Sequence, residues 1–366
     1  MESGKISGLQ FFSIIVMFEL GGVIALGVGG TAKQDTWIAI LFGLIPGLCI
    51  LLVYGKLYML YPKEPFTTFV PKILGPYIGK PVVFLYSVHF MYQSVRNFRG
   101  IGNVMSIAVY DETPLIALLC LMAIALIYIV YQGIEAMTRT IVTFLIVMVV
   151  LGVLGNLFVI FSNIIDVNNM LPLLENGWKT VINSIPLTYF LPYAEMVVVM
   201  MFFPYVDTRK PGSVVKIGVM AAIFSGLVLS YTMALNASVL GPDLLSRSTI
   251  PLLATTSKIN IGDFIQKMDG ISISTLVISY FFKAVVYFYV AVMAVTDLWK
   301  LKGIQAVVVP LGIIIFFSSI MVAENSVENY IEGYIINPYV AFPFQTAIPI
   351  VLLIVALARR KKQSAA

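Results

Sequence analysis

The segment FELGGVIALGVGG, residues 18–30, decides the fold of this chain because it places five glycines inside an apolar stretch. A second segment, PLTYFLPYAEMVVVMMFFPYV at 186–206, is also apolar and contains Pro186, Pro192 and Pro204. Glycine leaves the helix backbone unshielded, and proline removes one backbone donor and clashes with the preceding turn. Both segments are therefore predicted to be helices that break inside a hydrophobic environment.

The composition of the whole chain places that environment in a lipid bilayer. Of its 366 residues, 60% are hydrophobic and 11% are charged, whereas a soluble domain carries roughly 25% charged residues. The mean hydropathy is +0.96. Runs of about 20 apolar residues cross a hydrocarbon core ~30 Å thick. An all-α polytopic membrane protein is predicted, with about ten transmembrane spans near 9–29, 36–60, 80–109, 114–131, 138–162, 183–205, 213–238, 270–297, 304–322 and 338–358.

The distribution of Lys and Arg over the predicted loops indicates the orientation, because these residues are retained on the cytoplasmic side. With both termini cytoplasmic, fifteen of them fall inside and five fall outside. The outer loop before the last span is expected to contain Glu324, Glu328 and Glu332. This topology accounts for the net charge of +5, so the charge does not call for a nucleic-acid partner.

Ten spans with both ends inside allow a 5+5 inverted repeat within a single integral membrane domain, residues 1–366. Spans 1–5 would cover about 9–162, and spans 6–10 about 183–358. Helices 1 and 6 then carry their breaks at equivalent positions, which favours a binding site over glycines that only permit close helix packing. Free N–H groups at the first break would hold a carboxylate, and loose carbonyls in span 6 would accept from an ammonium group.

Five ionisable residues lie well inside the predicted spans, and each is expected to face the interior and to have a partner. They are Glu19, Arg96, Arg99, Glu195 and Lys283. Three positive charges against two carboxylates leave one positive charge, which an anionic group of a ligand could balance. The ammonium of Lys283 could also stand where a transporter would hold a sodium ion.

A polar stripe runs along span 3, where residues spaced by three or four share one helix face. It consists of His89, Gln93, Arg96, Gly100 and Asn103. Such a stripe is either the wall of a cavity or a structural network that holds the bundle together, and both interpretations remain open at this point. His89 alone is more typical of a satisfied interior residue.

Ten short stretches, in matching order along nearly the whole chain, resemble the B subunits of spore germinant receptors. This family, the spore germination permeases, belongs to the amino acid–polyamine–organocation transporter superfamily. The stretches are FELGG (18–22), AKQDTW (32–37), RNFRG (96–100), LPLLENGWK (171–179), PYAE (192–195), FFPYV (202–206), LGPDLLSRSTIPLL (240–253), IGDFIQKMD (261–269), YFFK (280–283) and PFQ (343–345).

The resemblance implies a LeuT-like fold, a complex with A and C subunits in the spore inner membrane, and recognition of a small nutrient such as an amino acid. It also implies where the ligand pocket should lie. The residues carried over are Gly21, Gly22 and Val23 in span 1, and Pro192, Tyr193, Ala194 and Glu195 in span 6.

Three functions are therefore compatible with the sequence. The first is a sensor in which nutrient binding shifts a conformational equilibrium, the second is a working amino acid or polyamine permease, and the third is a water or ion pathway lined by the span 3 stripe. No nucleophile with a base and no metal-ligand spacing appears, so neither enzymatic activity nor a metal or cofactor is expected.

Overall fold

The computed structural model describes residues 4–24, 27–28, 30–108, 113–208, 210–262, 265–266 and 268–365. This part of the chain is almost entirely helical. Its α-helices are α1 Gly8–Leu20, α2 Thr36–Leu60, α3 Phe66–Leu74, α4 Pro76–Ala108, α5 Leu115–Tyr131, α6 Gly133–Phe161, α7 Gly177–Thr188, α8 Pro211–Arg247, α9 Pro251–Ser257, α10 Asp269–Leu298, α11 Gln305–Met321, α12 Ser326–Ile331, α13 Asn337–Phe342 and α14 Ile348–Ala365.

Shorter elements connect or interrupt these helices. A small antiparallel hairpin consists of β1 Asn260–Ile261 and β2 Ile265–Gln266. The 3₁₀ segments are Gly30–Asp35, Val167–Met170, Ala194–Met201 and Phe203–Tyr205. π-helical turns occupy Tyr189–Tyr193, Glu332–Ile336 and Pro343–Ala347.

Helix α1 ends at Leu20, where the sequence predicts the first break. Gly22 has φ +73°, a left-handed conformation that glycine adopts without steric cost. A Cβ on Gly21 would lie 2.7 Å from the Cβ of Lys283, and a Cβ on Gly22 would lie 2.7 Å from Cε1 of Tyr280. The two glycines therefore allow the broken chain to lie directly against α10. Of the other glycines in this segment, Gly29 lies outside the described residues.

The second break begins where α7 gives way to the π-helical turn at Tyr189–Tyr193, which contains Pro192. The chain continues as 3₁₀ helix over Ala194–Met201. Runs of 3₁₀ helix longer than three or four residues are uncommon and often mark a hinge or strain. Both segments singled out in the sequence are thus interrupted helices.

The residues just before α1 lie beside the end of the second broken segment. The Ile6 N–H donates to the Tyr205 carbonyl oxygen (2.9 Å), and the Asp207 N–H donates to the Ile6 carbonyl oxygen (2.8 Å). The first broken segment therefore begins close to the point where the second one ends.

The centre of the fold is the pair α4 and α10, which pack extensively against each other. Almost every residue of α10 from Phe281 to Ala294 is buried. Because α1 packs on α10, α8 and α6, its broken end lies at the centre of the bundle rather than at its surface.

Six helical segments of the described chain are long and apolar enough to cross a membrane. They are Thr31–Leu60, Gly133–Phe161, Gly177–Met201, Pro211–Arg247, Asp269–Leu298 and Ser326–Arg360. Helices α1, α5 and α11 are apolar but shorter. Helix α4 has 33 residues and therefore spans ~50 Å, and it carries the polar stripe.

The last span starts earlier than predicted, and this correction affects the site. Helix begins at Ser326 rather than near 338, and the Asn325 side chain caps it by accepting from the Glu328 N–H (2.9 Å). Glu328 and Glu332 are consequently helical residues, not residues of an outer loop. The π-helical turn at Glu332–Ile336 adds a residue to this part of the helix.

Candidate functional site

A cavity lies where the broken end of α1 meets α4, α10 and the helical segment Ser326–Arg360, called the last helical segment below. Its lining is mixed, with backbone from the break, amide side chains, tyrosines and charged groups. The lining residues are Gly21, Gly22, Val23, Gln93, Arg96, Asn97, Gly100, Asn103, Val104, Leu191, Glu195, Thr249, Ile250, Tyr280, Lys283, Ser326, Asn329, Tyr330, Gly333, Tyr334 and Asn337.

The polar stripe of α4 forms one wall of this cavity. Gln93, Arg96, Gly100 and Asn103 all line it, because positions spaced by three or four share a helix face. Gln93 also exchanges two hydrogen bonds with Asn337 of α13. The stripe is thus both a cavity wall and a structural network.

Two ion pairs involve residues of the cavity wall, and they differ in solvent exposure. The ammonium of Lys283 contacts the carboxylate of Glu195, with 3% and 4% of the two side chains exposed. The guanidinium of Arg96 lies 2.7 Å from the carboxylate of Glu332, with 7% and 28% exposed. Removing one partner of a buried pair costs roughly 3–5 kcal/mol, whereas exposed pairs contribute about 0.2–1 kcal/mol. The Arg96–Glu332 pair is therefore the easier of the two to open.

The ion pair of Arg96 corrects the charge balance predicted for the embedded groups. Glu332 belongs to the last helical segment and provides a third carboxylate for Arg96, Arg99 and Lys283. The prediction of one surplus positive charge was wrong because Glu332 was assigned to an outer loop.

The backbone N–H groups at the α1 break already have acceptors. The Gly21 N–H donates to the carbonyl oxygens of Met17 and Phe18 (3.0 and 3.2 Å). The Gly22 N–H lies 3.5 Å from the Ser279 hydroxyl oxygen. These two amides are therefore not the free donors that the sequence led us to expect.

Of the span 6 residues expected at the pocket, Glu195 lines the cavity, and Pro192, Tyr193 and Ala194 are not among its described lining residues. The Ala194 carbonyl oxygen accepts from the Tyr54 hydroxyl (3.2 Å). The Tyr193 side chain lies against α2, where a Cβ on Gly47 would be 2.4 Å from the Cβ of Tyr193. In this segment Glu195 therefore faces the cavity, whereas the Tyr193 side chain and the Ala194 carbonyl oxygen contact α2.

Three further residues of the predicted network lie outside the cavity lining. Glu19 is fully buried, and its carboxylate lies beside the side chain of Ser225. The His89 ring stacks on Phe344, with centroids 4.5 Å apart and planes 8° apart. Arg99 donates to the carbonyl oxygens of Ser319 and Ile320 near the end of α11 (3.2 Å each), which is a favourable position for a cation at a helix C-terminus.

A second cavity continues from the first toward α9. It is lined by Ser248, Thr249, Ile250, Leu253, Ala254, Ser257, Ser326, Val327 and Tyr330. Thr249, Ile250, Ser326 and Tyr330 line both cavities. The two cavities therefore adjoin each other, and Thr249 lies in their shared wall with an exposed side chain.

Comparison with known families assigns the chain. The family model described as "Spore germination protein" matches residues 5–327. This chain belongs to the spore germination protein family. It is 35% identical to spore germination protein KB of Bacillus subtilis (strain 168) over 99% of this chain and 97% of that protein. It is 23% identical to spore germination protein YndE of the same strain, over 98% of each chain.

Solved structures of transporters share the fold of this family member. A sodium-coupled sialic acid symporter, in a substrate-bound outward-open state, has a TM-score of 0.67 at 11% identity, covering 96% of this chain and 89% of that one. The nucleobase-cation-symport-1 transporter MHP1, with bromovinylhydantoin bound, has 0.63 at 12% identity, covering 86% and 72%. MhsT in complex with L-phenylalanine has 0.59 at 17% identity, covering 87% and 80%. The apolar helices and the family identify the chain as an integral membrane protein. The solved structures show that its fold is of the LeuT transporter type.

Several cavity residues of this spore germination protein were missed in the sequence. Tyr280 comes from α10, and Asn329, Tyr330, Gly333 and Tyr334 come from the last helical segment. A signal for the latter existed, since Asn325 followed three residues later by Glu328 is typical of a helix N-terminus. That pattern would have extended the last helix over these residues.

The reciprocal amide pair gives a first testable prediction. Gln93 donates to the Asn337 side-chain oxygen (3.1 Å) and accepts from its nitrogen (3.3 Å), and both are buried. Gln93→Leu leaves the Asn337 amide unsatisfied, so we expect a loss of ~1–3 kcal/mol in unfolding free energy. The double variant Gln93→Leu/Asn337→Leu removes both partners and should recover most of this loss. Titration with sodium dodecyl sulfate of the detergent-solubilised protein measures both, and a double variant as unstable as the sum of the singles would contradict the pair.

Proposed function

We propose that this protein is a nutrient-sensing subunit of a spore germinant receptor, which binds a small nutrient such as an amino acid in the cavity at the α1 break. The observation that carries the proposal is the joining of two interrupted helices and a polar stripe around one buried cavity. Membership of the spore germination protein family and the transporter fold support it. The ligand would act by binding one conformation more tightly than the other.

The proposed setting is the spore inner membrane, in a complex with A and C subunits. We further propose ten spans with both termini cytoplasmic and a 5+5 inverted repeat. The six long apolar segments, the three shorter ones and α4 together supply ten helices. The contact between the start of the first broken segment and the end of the second supports the repeat.

Blocking the cavity provides the test. A leucine at Gly22 would combine an unfavourable φ of +73° with a Cβ 2.7 Å from Tyr280. In spores carrying Gly22→Leu, we expect half-maximal germination to need roughly tenfold more nutrient, or more. The measurement is the fall in optical density across a panel of the twenty L-amino acids and simple sugars, with the amount of subunit in the membrane determined in parallel.

Two companion variants make the result interpretable. Gly152→Leu places the same side chain on α6, where a Cβ would meet nothing within 4 Å, and should behave as the parent. Thr249→Trp changes an exposed residue at the junction of the cavities, so it should fold normally and still weaken the response. Normal responses from both Gly22→Leu and Thr249→Trp would refute the cavity as the nutrient site.

A working permease is the second candidate, favoured by the second cavity that adjoins the first on the side of α9. Proteoliposomes separate the two functions. Stoichiometric uptake of a labelled amino acid supports a permease, and saturable binding without uptake supports the sensor. We propose no enzymatic activity.

A further inference from the structure

Arg96 and Lys283 are the two cations among the described residues that line the cavity. A ligand carboxylate that enters the cavity can form a charge-assisted hydrogen bond with either of them. The amides of Gly21 and Gly22 offer little competition because they already have acceptors. Which cation binds the ligand carboxylate therefore depends on the free-energy cost of displacing the protein carboxylate that it already contacts.

To bind a ligand carboxylate, Lys283 would have to release Glu195, which is too deeply buried to be hydrated after release. Its ammonium contacts the carboxylate of Glu195, and only 3% and 4% of these side chains are exposed. If a ligand displaced Glu195, it would leave a buried carboxylate without its cation, which is strongly unfavourable. This pair is expected to stay closed.

Arg96 can exchange its partner at lower cost. Its Nη1 donates to the Glu332 carboxylate (2.7 Å), which is 28% exposed and can be solvated after release. Its Nη2 donates to the Asn329 carbonyl oxygen (2.6 Å), so the guanidinium keeps its position when Glu332 leaves. A Cβ on Gly333 would lie 2.6 Å from this Nη2, so the glycine allows the last helical segment to approach the guanidinium.

Two unsatisfied polar atoms lie on the same wall. The side-chain oxygen of Asn329 and the hydroxyl of Tyr334 are buried and have no hydrogen-bond partner in the described part of the chain. Both residues line the cavity. Buried polar atoms without partners are uncommon in folded proteins and suggest a missing ligand or water. A ligand ammonium group that reaches either oxygen would supply the donor that it lacks.

We propose that Arg96 is the carboxylate-binding residue of this cavity and that a ligand carboxylate replaces Glu332 on its guanidinium. The ligand class is a small molecule with a free carboxylate and a neighbouring ammonium, such as a zwitterionic amino acid. The inference rests on the proposed function, since it requires nutrient binding in this cavity. Release of Glu332 would remove one of the two contacts that hold the last helical segment on Arg96 and would leave the bond to the Asn329 carbonyl oxygen.

The experiment compares acids with their amides. The purified full-length protein in lipid nanodiscs is titrated calorimetrically with each of the twenty L-amino acids and with the matching amino acid amides, which retain the ammonium group but lack the carboxylate. In the parent protein we expect the acid to bind about tenfold more tightly than its amide, or better. Arg96→Gln should abolish this preference by weakening the acid alone.

Glu332→Gln tests the exchange itself. It removes the competing carboxylate but keeps the shape of the side chain, so acid affinity should rise by about tenfold while amide affinity stays constant. The matched control is Glu324→Gln, which neutralises an exposed glutamate near the start of the same segment and should change neither affinity.

The outcomes separate this inference from the function it rests on. If amino acids bind but acids and amides bind alike, or if Arg96→Gln retains the parent's preference, the carboxylate site is refuted and the cavity remains the nutrient site. If no amino acid binds the parent protein, the carboxylate site is refuted, whereas the proposed function is refuted only by the spore experiment with Gly22→Leu and Thr249→Trp. A Glu332→Gln variant with unchanged acid affinity refutes the exchange.

Discussion

Lys283→Met should destabilise the protein by roughly 3–5 kcal/mol, among the largest effects expected for any single substitution in this chain. The substitution removes the ammonium that contacts the carboxylate of Glu195, a side chain that is 4% exposed. Methionine is similar in length to lysine, so the loss arises from an uncompensated buried charge and not from a cavity.

The chain contains a matched control for this prediction. Lys72 forms an ion pair with Glu64 at 2.6 Å, but 54% and 31% of these side chains are exposed. Lys72→Met removes the same chemical group from a solvated pair, so we expect a loss below about 1 kcal/mol. Both variants are measured by sodium dodecyl sulfate titration of detergent-solubilised protein.

Replacing both partners of the buried pair distinguishes a stranded charge from poor packing. In Lys283→Met/Glu195→Leu no carboxylate is left without its cation at this position, so most of the lost stability should return. Equal losses in Lys283→Met and Lys72→Met, or no recovery in the double variant, would show that burial does not govern the strength of this pair.

The sequence predicted the two helix breaks correctly because their cause is local. Gly21 and Gly22 end α1, and Pro192 lies in the π-helical turn of the second break. The alignment of Gln93, Arg96 and Asn103 on one wall was also predictable, since it follows from helical spacing alone. These features depend on residues within a few positions of one another.

The partners of the embedded charges could not be predicted in the same way. Arg96 and Glu332 are 236 residues apart in sequence, and nothing local to Arg96 selects Glu332 over other carboxylates. Counting Glu332 as a loop residue then produced the wrong charge balance. The error followed from the position of the last helix, whose capping pattern at Asn325 and Glu328 was overlooked.

The direction of side chains in the second break was also beyond the sequence. Pro192 predicts that the helix is interrupted, but it does not predict the backbone geometry after the interruption. Without that geometry, the sequence does not show whether Tyr193 or Glu195 faces the cavity. The π-helical turn followed by 3₁₀ helix sets these directions, and Tyr193 within this turn packs closely against Gly47 of α2. Local propensity alone does not determine such a distortion.

That packing against α2 leads to the second large effect, expected for Gly47→Ala. A Cβ on Gly47 would lie 2.4 Å from the Cβ and 2.7 Å from the Cγ of Tyr193. Because a Cβ is fixed to its backbone, rotation of the Tyr193 ring cannot relieve the contact, and α2 must move away from the second break. We expect a loss of ~1–3 kcal/mol in unfolding free energy together with weakened nutrient binding, since Glu195 lies two residues beyond Tyr193.

Gly152→Ala is the matched control, because the same added methyl on α6 meets nothing within 4 Å. This variant should be neutral or stabilised by up to about 1 kcal/mol, as expected when alanine replaces glycine inside a helix. Detergent unfolding and calorimetric titration with L-amino acids report stability and binding separately. If Gly47→Ala lowers stability but leaves affinity unchanged, the close contact with Tyr193 is structural and the position of Glu195 does not depend on it. If Gly47→Ala matches Gly152→Ala in both measurements, α2 does not hold the second break in place.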